Sequence, residues 1–138
     1  MKAIQFILFL LFFSIRFSSP AQTAEQIDQM EASHKECLGI KPDSIACSRV
    51  FFYQMDSMVN VVFNKAKEDI SPDQRSQFIK EQMSWAYRKE SFFKKQDENF
   101  IFNLKEGTWK KEMIRIVYEQ KADFLLKRIK SLLKHVIQ

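Results

Sequence analysis

The chain has 138 residues and a formal net charge of +5. Its two glycines, Gly39 and Gly107, are too few and too far apart for a phosphate-cradling loop or a dinucleotide fingerprint. They also argue against a many-stranded β fold, which needs more turn glycines.

Residues 1–21 read as an export signal. Lys2 supplies the positive end, Ala3 to Phe13 is an apolar run broken only by Gln5, and Ser19-Pro20-Ala21 places small residues on either side of the proline ahead of a cleavage after Ala21. The run is shorter than the roughly 20 residues that a bilayer span needs, and Arg16 interrupts it; an uncleaved anchor is the alternative. No cysteine stands at the cleavage position, which argues against a lipid-anchored form. The expected mature unit is one domain, residues 22–138, in the periplasm or outside the cell.

Cys37 and Cys47 are the only cysteines. In an oxidising compartment pairing is their default state, and closing so short a loop stabilises by roughly 3 kcal/mol on a chain-entropy estimate. With Pro42 and Asp43 between them, the bridge ties the end of one helix to the start of the next. The alternatives are a metal site of His34, Cys37 and Cys47, at no recognised spacing, and a nucleophilic cysteine served by His34 or His135.

Four helices are predicted. The first spans about Thr23 to Cys37, with Thr23 and Gln26 as a capping box. The second spans about Asp43 to Lys67, where Ile45, Val50 or Phe51, Met55, Met58 or Val59, Val62 and Phe63 recur at helical spacing. Ser71-Pro72-Asp73-Gln74 opens the third with a capping serine, a proline at the first position and a box-closing glutamine. That helix runs to about Gln96 with Phe78, Ile79, Gln82, Trp85, Lys89 and Phe92 or Phe93 along one side. Residues 97–106 read as an irregular connection. Gly107-Thr108 starts the fourth helix, striped by Met113, Ile116 or Val117, Phe124 or Leu125, Ile129, Leu132 or Leu133, and Val136. The expected fold is all-α. Short loops favour antiparallel neighbours, giving a small bundle of three long helices plus a short N-terminal helix tied on by one disulfide.

Several of these residues form a familiar pattern. Cys37-Leu38, Pro42-Asp43-Ser44 and Cys47 resemble the paired-cysteine opening of the lysozyme-inhibitor LprI-like family of small exported bacterial proteins. Asp56-x-x-Val59-Asn60-x-x-Phe63 is similar to that family's Asp-x-x-Leu-Asn-x-x-Tyr, and Gln82-x-x-Trp85 to its Gln-x-x-Trp. Lys89-Glu90 stands where the family usually has Arg-Asp. Gly107-Thr108 and Lys121-Ala122-x-x-Leu125 resemble its last helix. A second cysteine pair found in some relatives is missing, with apolar residues such as Phe93 in its place, which is consistent with Cys37 pairing with Cys47. The resemblance implies a helical, non-enzymatic domain without catalytic residues, cofactor or metal; one member type inhibits lysozyme.

The same residues carry a physical expectation. In an antiparallel hairpin, opposed positions have a constant sum, and Phe63/Gln82, Asn60/Trp85 and Asp56/Lys89 share one value. Asp56 is therefore expected to reach Lys89, and Asn60 to pack under or bond near Trp85. Such a half-buried pair fixes register more than it stabilises.

Without Lys2 and Arg16 the net charge is +3. Residues 22–73 hold 5 basic and 9 acidic residues; residues 74–138 hold 15 and 8. The last stretch, Phe124 to Gln138, holds Lys127, Arg128, Lys130 and Lys134 and no acidic residue. They form either the solvated face of a bundle helix or a contact for an anionic membrane surface. Nucleic acid is not an expected partner, because export and the lack of aromatic–basic interleaving argue against it. The leading expectation is an exported binding protein, with a lysozyme-type hydrolase or another envelope protein as partner. Glu25, Asp28, Glu31, Glu36 and Asp43 are the acids that would face a basic lysozyme.

Overall fold

The computed structural model describes residues 20–136, so the export signal expected at the amino end lies almost wholly outside the described residues. Four helices account for nearly all the rest: α1 Pro20–Ile40, α2 Ile45–Asp69, α3 Pro72–Lys105 and α4 Lys111–Leu133. Cys37 and Cys47 form a disulfide across the α1–α2 loop, with Cα atoms 5.9 Å apart. Both thiols are thereby used, which closes the metal and nucleophile alternatives.

The helix ends show where local reading works. At α2, Ser44 adopts extended backbone and its hydroxyl accepts from the Cys47 amide at 3.2 Å. At α3, Pro72 occupies the first turn, but the Ser71 side chain makes no bond to the helix amides. The Ser71 hydroxyl instead bonds the Asp73 carboxylate, which also accepts from the backbone of Asp73 and Gln74. These bonds hold the Asp73 carboxyl below the ordinary carboxylate range.

Three boundaries differ from the sequence reading. α1 starts at Pro20 and runs 21 residues, close to the 23 of α4, so it is not a short appendage. Thr23 is consequently inside the helix and buried, bonded to the Lys65 ammonium rather than capping. Residues 97–105 are helical, making α3 34 residues long, about 51 Å at 1.5 Å per residue. Nothing in Asp97 to Lys105 forbids a helix: the segment has neither proline nor glycine. Gly107 ends α3 rather than starting α4. At φ +68° it lets the Thr108 amide reach Asn103 O at 3.0 Å and the Gly107 amide reach Leu104 O at 3.4 Å. This is a Schellman closure, which needs the left-handed conformation that glycine adopts without strain.

α2 packs along α4 more extensively than along α3, its neighbour in sequence. The core lies on this seam: Phe51, Met55, Met58, Val59, Val62 and Ala66 of α2 meet Ala122, Leu125, Ile129, Leu132 and Leu133 of α4, with Ile27 of α1 and Phe78 and Trp85 of α3 closing the sides. Contacts along α2 and α3 run in opposite order, Phe52 against Phe93 and Phe63 against Phe78. Those along α3 and α4 do the same, Trp85 against Phe124 and Phe78 against His135. α4 is therefore docked. Its apolar stripe is core, and Val136 beyond its end is buried as well.

Candidate functional site

Because α2 and α3 touch only lightly, a groove of about 260 Å³ opens between them, lined by Asp56, Val59, Asn60 and Phe63 from α2 and Ile79, Gln82, Met83, Trp85, Ala86 and Lys89 from α3. Asp56, Asn60, Phe63, Gln82, Trp85 and Lys89 are six of the seven motif residues singled out from the sequence. Helix periodicity puts residues four apart on one face, and two such faces are opposed here.

Lys89 Nζ donates to Asp56 Oδ1 at 3.3 Å across the groove. The pair is half-exposed. The same ammonium lies 6.0 Å from the Trp85 ring centre and 5.7 Å from that of Phe93, within cation–π range. Trp85 is buried as the floor. Gln82 does not pair with α2: its Oε1 accepts from Arg128 Nε at 2.9 Å and Nη2 at 2.7 Å. Arg128 Cζ also lies over the Trp85 ring, 5.8 Å from its centre, and burial lowers the proton affinity of its guanidinium, a change that Glu81 opposes and Arg88 reinforces. Asn60 stands exposed on the groove wall rather than packed under Trp85, and Glu90 is exposed outside the groove.

One feature escaped the sequence reading. Ile79, Met83 and Tyr87 are all exposed, Tyr87 at 71%, and form an apolar ridge along the rim at positions i, i+4 and i+8. The signal is present in that spacing, but the sequence groups Ile79 with Phe78, Gln82 and Trp85 along one side of the helix and does not mark it, Met83 and Tyr87 as a shared exposed row.

A second cavity, about 420 Å³, lies beside the disulfide and is lined by His34, Cys37, Lys41, Cys47 and Phe51 among others. Behind it Glu119 of α4 joins α1 to α2. Its Oε2 meets His34 Nε2 at 3.2 Å, and its Oε1 accepts from the Ser48 hydroxyl. The His34 ring stacks on Phe51 at 4.3 Å. A serine, a carboxylate and a histidine are thus in line, but in an order that cannot activate the hydroxyl: Ser48 is 0% exposed and bonded to the carboxylate, not to the imidazole. Glu119 is a structural clasp.

The four C-terminal cations divide. Lys127 and Lys134 are exposed, whereas Arg128 is engaged with Gln82 and Lys130 pairs with Glu31 at 2.8 Å. Glu31 is thereby withdrawn from the acidic set on α1; Glu25, Asp28, Glu36 and Asp43 stay exposed. Among the described residues no group of three His, Cys, Asp or Glu side chains is placed to hold a metal ion, and no helix is long and apolar enough to cross a membrane. Comparison with family models, curated proteins and solved structures gave no match to this chain.

Proposed function

We propose that the chain is an exported, non-enzymatic binding protein of the LprI-like kind, that it recognises its partner through the α2/α3 groove, and that this partner is a lysozyme-type cell-wall hydrolase. The observation that carries the reading is convergence: six residues of the sequence pattern line one groove, and an exposed apolar ridge borders it. A surface with a buried aromatic floor, a half-exposed charged pair and protruding Met83 and Tyr87 has the make-up of a protein-recognition site, where aromatic residues and methionine are enriched. The resemblance supplies the class of target. The acidic first half supplies a field that attracts a basic partner, offset by the basic second half.

The test is cell-wall lysis by lysozyme in the presence of stoichiometric protein. Lysis is expected to fall, and Met83→Glu with Tyr87→Glu is expected to restore it without loss of helix content. Undiminished lysis at micromolar protein removes lysozyme as the target. Inhibition that survives both ridge substitutions moves the recognition surface elsewhere.

A further inference from the structure

The last turns of α3 and the first of α4 project past the rest of the molecule. Phe52 lies against Phe93 and Tyr118, so the start of α2 stands level with the late 90s of α3. Residues beyond about 100, the Gly107 turn and the first turn of α4 form a two-helix tip at the end where α1 and α2 are joined. This tip concentrates exposed apolar side chains: Ile101, Phe102 at 62%, Leu104, Trp109 at 39% and Ile116. Lys105, Lys110 and Lys111 stand exposed among them, and none is in an ion pair among the described residues. Within residues 101–116, Lys105, Lys110, Lys111 and Arg115 stand against Glu106 and Glu112, so the tip itself carries a net positive charge.

Charge and shape select the occupant. Two copies meeting tip to tip through convex ends would bury far less than the roughly 800 Å² per partner of a stable interface. A bilayer has no such requirement. A convex element can sink about 5–10 Å into the headgroup boundary, where tryptophan sits by preference and lysine stems lie along acyl chains with their ammonium groups at the phosphates. We propose that the α3–α4 tip is a membrane-contact element, seating Phe102, Leu104 and Trp109 in the boundary of an anionic bilayer with Lys105, Lys110 and Lys111 against lipid phosphates. It replaces the C-terminal half of α4 in that role, since the apolar face of α4 is core and Arg128 and Lys130 are engaged. It is independent of the groove reading.

The test uses the full chain and vesicles of phosphatidylcholine with roughly one-third phosphatidylglycerol, acyl chains brominated to quench tryptophan. The apolar run at the amino end can hold the chain on vesicles, but quenching reports the depth of the tryptophans. Trp85 is buried in the bundle, so the quenched emission is expected to come from Trp109 and to vanish in Trp109→Phe. Phe102→Ser with Leu104→Ser is expected to weaken that quenching about tenfold in lipid concentration while circular dichroism stays unchanged. Lys127→Gln with Lys134→Gln, at the other end of α4, is expected to leave it intact. Quenching that is absent, that persists in Trp109→Phe, or that depends on Lys127 and Lys134 overturns the proposal. So does a dimer in sedimentation, dissolved by Phe102→Ser, without quenching.

Discussion

Asp56 and Trp85 line the same groove and contribute differently. The Asp56–Lys89 pair is partly hydrated, with side chains 43% and 28% exposed, and pairs of this kind contribute about 0–1 kcal/mol. Trp85 is buried against Phe124, at 5.9 Å between ring centres, and removing such a ring costs about 3–5 kcal/mol. Asp56→Asn is therefore expected to leave the urea midpoint almost unchanged, and Trp85→Ala to lower stability several-fold more. Equal losses would mean that the ion pair carries stability and not only register. Residues paired by local spacing, as Asp56 and Lys89 are, were within reach of the sequence because a short turn couples adjacent helices. Glu119 was not: it is one more acid in a charged helix, and its meeting with His34 and Ser48 depends on how α4 docks, which no local pattern encodes.

At the scale of elements, two helix starts make separable contributions. The Asp73 carboxyl is held below its ordinary range by Ser71, then by the backbone of Asp73 and Gln74. A carboxyl lowered in the folded state stabilises above its unfolded pKa of about 4 and loses that stabilisation as pH falls through the folded value. The melting-temperature difference between the parent and Asp73→Asn is thus expected to be constant from neutral pH down to about 5 and to shrink below about 4. A difference that grows on acidification would reverse the assignment. The α1–α2 junction rests on the disulfide, with a sequence separation of 10 between its cysteines. Cys37→Ser with Cys47→Ser is expected to cost roughly 3 kcal/mol in urea unfolding. A loss below about 1 kcal/mol would mean that the unfolded chain is already confined there. Element identity was legible from periodicity, as with Met55, Val59 and Val62. The extent of α3 was not, because Asp97, Glu98, Asn99 and Asn103 compose a loop-like segment that becomes helix between Phe93 and the Gly107 stop. Gly-Thr reads equally well as a start or an end, and only the Thr108-to-Asn103 bond decides.

Over the whole molecule, the net charge is the difference between two unlike halves. Residues 22–73, which form most of α1 and all of α2, carry 9 acidic against 5 basic residues, and residues 74–138 carry 8 against 15. The fold presses these halves together along the α2–α4 seam. Glu31–Lys130 and Asp56–Lys89 cross the divide with acid from the first half and base from the second. The excess base is thus partly neutralised inside the molecule, and what stays exposed includes Lys105, Lys110 and Lys111 at the α3–α4 tip. Such attraction is screened by ions, since the Debye length falls from about 10 Å at 0.1 M to about 3 Å at 1 M salt. The core itself is insensitive to that change. Raising sodium chloride from about 0.05 M to 1 M is therefore expected to lower stability by about 1 kcal/mol, and the loss is expected to shrink in Glu31→Gln with Lys130→Gln. Sodium chloride is the salt to use, because sulfate strengthens apolar burial and would mask the loss. A melting temperature that rises with sodium chloride would mean that repulsion within the basic half outweighs attraction between the halves.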